Sequence, residues 1–203
     1  MFFFQACSFK NEIDSNYYCQ KFKFSCTRSD KLVLFKTSKG DFEVKLFGKD
    51  NPVTVSNFLE NVDNGIYENQ KFYKIIIYPQ IKFIHGGVNP KNKLYFERNQ
   101  NLNKISPSIP LEIKFKEESK PRYNYQIKNP NETENLVNTF EDGSIAMVKS
   151  GKDKSSSTEF FFVTTNIPEL DGRYSIFGKI IKGLDVLKKI NKEDYIKAVQ
   201  IIN

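Results

Sequence analysis

From Lys31 onward, short runs of β-branched and aromatic residues recur, each closed off by turn residues, and this rhythm restricts the chain to a mostly-β fold. The clearest run is Leu32-Val33-Leu34-Phe35, followed by Ser38-Lys39-Gly40 and then by Phe42, Val44 and Leu46 alternating with Asp41, Glu43 and Lys45. Period-two alternation sends successive side chains to opposite faces, so the segment is expected to be a β-hairpin with one buried face. Comparable runs lie at 71–77, 81–85, 144–148, 159–164, 174–180 and 195–201. Helical spacing is limited to two places. Asn51-Pro52 supplies a capping residue and a proline for the first turn, Val55, Phe58, Leu59 and Val62 follow at i, i+3, i+4 and i+7, and Gly65 ends the helix. A second helix is expected from Leu184 to Ile190, after Gly183. Many short strands with few helices close into a barrel or a sandwich.

With 203 residues, 39% of them hydrophobic, the chain has enough apolar material for one domain plus a short extension. No apolar run approaches the ~18 residues of a membrane-spanning helix. His85 is the single histidine, and Cys7, Cys19 and Cys26 form no CxxC pair, so zinc sites and histidine-based triads have almost no material. No cofactor is expected. Residues 1–30 read as a leader or linker before a domain at 31–203. Their apolar start, Met1-Phe2-Phe3-Phe4-Gln5-Ala6-Cys7, resembles the end of a bacterial lipoprotein signal but lacks its charged beginning. The protein is therefore either anchored by lipid at Cys7 and active outside the cytoplasm, in a periplasm or lumen, or cytoplasmic with an accidental apolar start. Cys19 and Cys26 either pair in an oxidising compartment or remain two thiols. Residues 114–140, rich in Lys, Glu, Asn and Pro, read as a long surface excursion. The net charge of +7 suits an anionic partner. Nucleic acid is not expected: from Arg173 to Lys197 the basic excess looks like solvated faces, and no nucleic-acid module is present.

Six segments, in order and spacing, resemble the cyclophilin-type peptidyl-prolyl isomerases over nearly all of 31–202. They are Thr37-Ser38-Lys39-Gly40; Pro52-Val53-Thr54-Val55-Ser56-Asn57-Phe58; Gly65-Ile66-Tyr67 leading to Phe72-Tyr73-Lys74; Gly86-Gly87 with Asn89-Pro90; Gly143-Ser144-Ile145-Ala146-Met147; and Glu159-Phe160-Phe161-Phe162 with Leu170-Asp171-Gly172-Arg173-Tyr174 and Phe177-Gly178-Lys179. The resemblance implies a closed eight-stranded antiparallel barrel capped by two helices. It also implies a monomer acting on proline-containing polypeptides, by rotation about the peptide bond before proline.

The family's Phe-His-Arg segment corresponds to Phe72-Tyr73-Lys74, which makes Lys74 the candidate catalytic donor and adds Phe72 to the substrate-binding set. Lysine keeps the cation but loses the planar fork of a guanidinium, so weaker catalysis is expected. Counting back from Gly86-Gly87 places His85 at the family's glutamine, Phe83 at its methionine and Lys82 at its pocket phenylalanine, in a stretch three residues longer than the family's. Lys82 and Phe83 must face opposite ways, so Phe83 replaces the lost aromatic only if the register moves by one. The other wall consists of Phe161, Leu170 and Tyr174, with Val148 for a small alanine, Lys149 for asparagine and Glu159 for glutamine. Glu159 brings a carboxylate near Lys74; if the two pair, the cation is partly neutralised and its donor role occupied. Glu169 stands where many members carry tryptophan, so a cyclosporin-type ligand is expected to bind poorly. The function expected is a folding-assisting prolyl isomerase of reduced or altered activity; the alternative is a weakly catalytic module that binds or scaffolds proline peptides.

Overall fold

The computed structural model describes residues 14–88 and 106–202, so Cys7 and the Asn89-Pro90 pair lie outside the described residues. β1 (Lys31–Thr37) and β2 (Gly40–Leu46) form the expected hairpin, in register from Lys31 opposite Leu46 to Thr37 opposite Gly40. Alternation does what the sequence requires: Val33, Phe35, Phe42, Val44 and Leu46 are all buried. Phe35 stacks on Phe42 at 4.9 Å and meets Phe160 and Phe162 edge-on.

The sheet continues on both sides of this hairpin. Its order is β3 (Gln70–Lys71), β12 (Tyr195–Ile201), β1, β2, β11 (Ile176–Lys182), β9 (Ser144–Lys149), β10 (Lys154–Val163), β5 (Lys82–Gly87) and β4 (Lys74–Ile77), with β6 (Ser108–Pro110) also on β10. Every pairing is antiparallel, and eight of these strands have four residues or more. The run at 71–77 is not one strand. Its start pairs with β12 and its end with β5, and between them buried Phe72 donates its N–H to Asp194. This crossing brings the curled sheet round on itself. No ladder joins β12 to β5, so "closed" slightly overstates the barrel.

α2 (Pro52–Asp63) lays Val55 and Phe58 into the interior, and α3 (Leu184–Lys189) adds Leu187. Asn51 does not cap α2 with its side chain. The carboxylate of fully buried Glu112 does so instead, accepting from Val53 N–H at 3.2 Å and Thr54 N–H at 2.8 Å. Two orphan donors of the first turn are thereby satisfied from some sixty residues away.

Residues 14–30, read from sequence as leader or linker, pack on the barrel. α1 (Ser15–Phe22) is capped by the Asp14 side chain, a Cys19–Cys26 disulfide ties it to the following chain, and Tyr18 and Cys19 bury against Val53 and Tyr123. The excursion at 114–140 is also built rather than structureless. β7 (Glu112–Ile113) pairs with β8 (Arg122–Tyr123), a 3-10 helix spans Pro130–Asn135, and Leu111, Ile113, Phe115, Ile127 and Leu136 form a satellite core. The Arg122 guanidinium lies 4.2 Å from the Phe115 ring centroid, bound to Glu118. No described helix is long and apolar enough to cross a membrane.

Candidate active site

One row of residues runs straight across five strands. Lys74 on β4 faces His85 on β5, His85 faces Phe161 on β10, Phe161 faces Ala146 on β9, and Ala146 faces Ile176 on β11. Residues directly opposite in antiparallel strands share a face, so all five side chains lie on the outer face of the sheet, where Lys74 is exposed, His85 half-buried, and Phe161, Ala146 and Ile176 buried. Phe160 and Phe162, one step either side, point inward and are fully buried. The strand pleat alone therefore separates the phenylalanines of the barrel interior from Phe161, which is 3% exposed and buried in a separate cluster on the outer face.

Around Phe161 a second apolar cluster forms outside the barrel interior, with Phe140, Val163 and Ile167, and with Ile81, Phe83, Val148, Leu170 and Tyr174 partly exposed at its rim. The Phe161 ring stacks on His85 at 5.4 Å and on Phe140 at 5.8 Å, meets Tyr174 edge-on at 5.2 Å, and lies 6.0 Å from Phe83. This makes a platform with an aromatic floor, sized by side chains from four different segments. Lys149 marks one edge: its Nζ donates to Gln126 of the excursion at 2.8 Å and sits 5.3 Å above the Tyr174 ring. Burial, and then the charge of Arg173, lower the Lys149 pKa.

At the opposite edge Lys74 is exposed. Neighbouring strands are ~4.8 Å apart, so its backbone lies about 10 Å from that of Phe161, and an extended lysine side chain spans most of that distance over His85. Burial, reinforced by the Lys74 charge, holds the His85 pKa down at about 4, so the imidazole is neutral near pH 7. It then offers one N–H donor and one acceptor nitrogen, as a glutamine amide does.

Several sequence-derived positions lie elsewhere. Phe72 is fully buried in the barrel interior, where a Cβ on Gly86 would lie 3.5 Å from its ring, and so does not reach the platform. Lys82 faces away from Phe83, and its Nζ donates to the carbonyls of Lys188 and Ile190 at the end of α3. The surplus residues before it lengthen the β4–β5 hairpin, turned at Tyr78 and Ile81, which leaves Phe83 on the Phe161 face. Glu159 does not pair with Lys74: it accepts from the Tyr73 hydroxyl at 3.1 Å and from Ser156 at 3.3 Å. Burial first, then the Glu159 charge, push the Tyr73 pKa up. Tyr73, Phe140 and Gln126 join the site without being marked as site residues by the sequence motifs. For Tyr73 the signal was its place between Phe72 and Lys74; Phe140 and Gln126 sit in the aperiodic excursion, which gives none.

A family model described as cyclophilin type peptidyl-prolyl cis-trans isomerase matches residues 32–203. The chain belongs to the cyclophilin-type isomerases. A peptidyl-prolyl cis-trans isomerase of Helicobacter pylori is 31% identical over 166 residues, covering 81% of this chain and 82% of its relative. One from Acinetobacter baylyi is 29% identical and covers 80% and 72%. Among solved structures, a Cryptosporidium parvum cyclophilin superposes with a TM-score of 0.59 at 24% identity, over 86% of this chain and 99% of that one, and supports the fold. The same parasite protein has been crystallised in the presence of the dipeptide Ala-Pro. Of the positions that the sequence resemblance marks in this cyclophilin chain, the outer cluster holds Phe161, Leu170, Tyr174 and Val148, with His85 stacked on Phe161 and Lys149 over Tyr174.

Proposed function

We propose that this cyclophilin rotates X-Pro bonds of protein chains on the Phe161 platform, with Lys74 as the donor and turnover below that of an arginine-bearing member. The observation that carries this reading is the Lys74–His85–Phe161 row, which sets a cation, a neutral hydrogen-bonding ring and an aromatic floor in line on one face. The barrier to be lowered is ~18–20 kcal/mol, because amide conjugation is lost in the twisted state. A proline ring on Phe161, flanked by Phe83, Leu170 and Tyr174, is held while the preceding carbonyl turns. As the prolyl nitrogen loses conjugation it becomes a better acceptor, and a donor arriving from the Lys74 side stabilises the twisted state more than either planar one. His85 and Lys149 are placed to hold the flanking peptide backbone. Lys74 has one rotating ammonium and no planar fork, so its donor is less fixed. Val148 leaves less room beside the ring than alanine does.

The test is NMR exchange on an Ala-Pro-Phe peptide with wild type, Lys74→Ala and Lys74→Arg. Wild type should accelerate exchange, Lys74→Ala should abolish most of it, and Lys74→Arg should raise it. Peptide binding by the wild type without acceleration would instead make the platform a recognition surface.

A further inference from the structure

A cavity of about 210 Å³ lies beside the start of β10, between α1 and β6. Its walls are Tyr17, Tyr18 and Phe22 of α1 on one side and Ile109 and Pro110 of β6 on the other, with Lys21 and Lys154 at its mouth. The Tyr18 hydroxyl is fixed by Asn124 Nδ2 at 2.6 Å, and the Cys19–Cys26 disulfide holds the helix that supplies three of the aromatic walls. None of these residues belongs to the platform around Phe161.

The charge distribution of this cavity is one-sided. Among the described residues no carboxylate lines it, and neither Lys21 nor Lys154 forms an ion pair. Lys21 Nζ instead lies 5.9 Å from the Tyr17 ring centroid and 5.8 Å from that of Phe22. Rings that attract a cation hold it at the cavity without neutralising it. Both ammonium groups are therefore available to an incoming anion, in a protein whose net charge of +7 already draws one in. The volume is below the ~300 Å³ at which pockets begin to take drug-sized molecules, and fits one or two side chains. Tyr17, 48% exposed, presents a ring to whatever enters.

We propose that this cavity is a second binding site, which seats an acidic segment of a polypeptide: one carboxylate to each lysine and an apolar or aromatic side chain between them, against Tyr17 and Phe22. The site is independent of the isomerase reading. It would give the protein a preference among polypeptides by a sequence remote from proline.

The experiment uses a fluorescent, proline-free peptide with a Glu-Phe-Glu core, measured by anisotropy against the full chain at low and at raised salt. Wild type should bind it, more weakly as salt rises, and Lys21→Ser/Lys154→Ser should bind about tenfold more weakly, the loss of two exposed ion pairs. Isomerisation of a short proline peptide by the double variant should equal wild type, which shows that the barrel is intact. No binding by wild type, equal binding by the variant, or equal binding of a Lys-Phe-Lys peptide would overturn the proposal. So would a dimer abolished by the same substitutions, because the occupant would then be a second copy of the chain. If the peptide binds as expected while no isomerisation is found, the cavity stands and the reading of the platform falls.

Discussion

The Tyr73 hydroxyl donates to Glu159 at 3.1 Å, and Ser156 donates to the other carboxylate oxygen. Among the described residues Lys74 forms no ion pair, so the neutralisation of the donor suggested by the sequence does not occur. In Glu159→Gln the amide oxygen can still accept from Tyr73. The kcat/KM for a short proline peptide is expected to stay within about twofold of wild type. A rise of tenfold or more would mean that the carboxylate does restrain Lys74 in solution.

Lys82 gives a sharper contrast between position in sequence and position in space. Its ammonium closes the last carbonyls of α3, where the helix end carries partial negative charge. Burial lowers its pKa, opposed by the nearby charge of Asp194. Lys82→Met should cost about 1 kcal/mol of stability, read from urea unfolding. KM for a proline peptide should not change; a raised KM with unchanged stability would return Lys82 to the substrate surface.

The strand rhythm, both expected helices and the platform residues Phe161, Leu170 and Tyr174 are legible in the sequence because they rest on local period and on unbroken motifs. What is not legible depends on long-range register. Whether Phe83 or Lys82 faces Phe161 turns on where three surplus residues go, and only the hairpin turn at Tyr78 and Ile81 decides it. Glu112 interrupts an apolar run, yet nothing local says that its partners are the amides of Val53 and Thr54. In the excursion only Leu111, Ile113 and Phe115 alternate with period two; Ile127 and Leu136 continue neither that period nor 3.6, so the sequence does not show that the segment is built around its own core. Likewise α1 is short, and its burial depends on a surface of α2 and β8 that the local sequence does not contain.

The Gly86-Gly87 pair is a motif with a steric cause. Gly87 sits at φ +91, and a Cβ there would lie 2.0 Å from the carbonyl oxygen of Thr158 on the neighbouring strand. Gly87→Ala must push β10 away from β5, next to the residues that place Phe161 opposite His85. A loss of about 3 kcal/mol or more is expected, with isomerisation lost as well. Gly151 also has a positive φ, +134, but nothing lies within 4 Å of its Cβ position. Gly151→Ala should cost only the backbone strain, about 1–2 kcal/mol. Thermal melts of the two variants compare the terms directly, and equal losses would refute the clash.

Half-buried His85 and fully buried Glu112 oppose each other in their pH dependence. His85 is held down from 6.5 to about 4, chiefly by burial, so as pH falls below 6.5 the unfolded chain takes up a proton that the folded protein refuses. Its contribution to stability is lost between those values. Glu112 is pushed up from 4.5 to about 7 by burial, against the amides of Val53 and Thr54 and the Tyr123 hydroxyl beside it, so the folded protein takes up its proton first. Its contribution is complete below 4.5 and is lost as pH rises through about 7. The two slopes have opposite sign where the windows overlap, and variants separate them. Relative to wild type, His85→Gln should gain stability progressively as pH falls from 6.5 to 4. Glu112→Gln should be less stable at neutral pH by about 1–3 kcal/mol, because an amide can accept from only one of the two helix N–H groups and turns a donor toward the other. Its deficit should widen as pH falls from 7 to 4.5, where wild type gains and the variant does not. Urea unfolding of the three proteins across this range reads both differences. Parallel curves would show that neither group titrates differently in the folded and unfolded states.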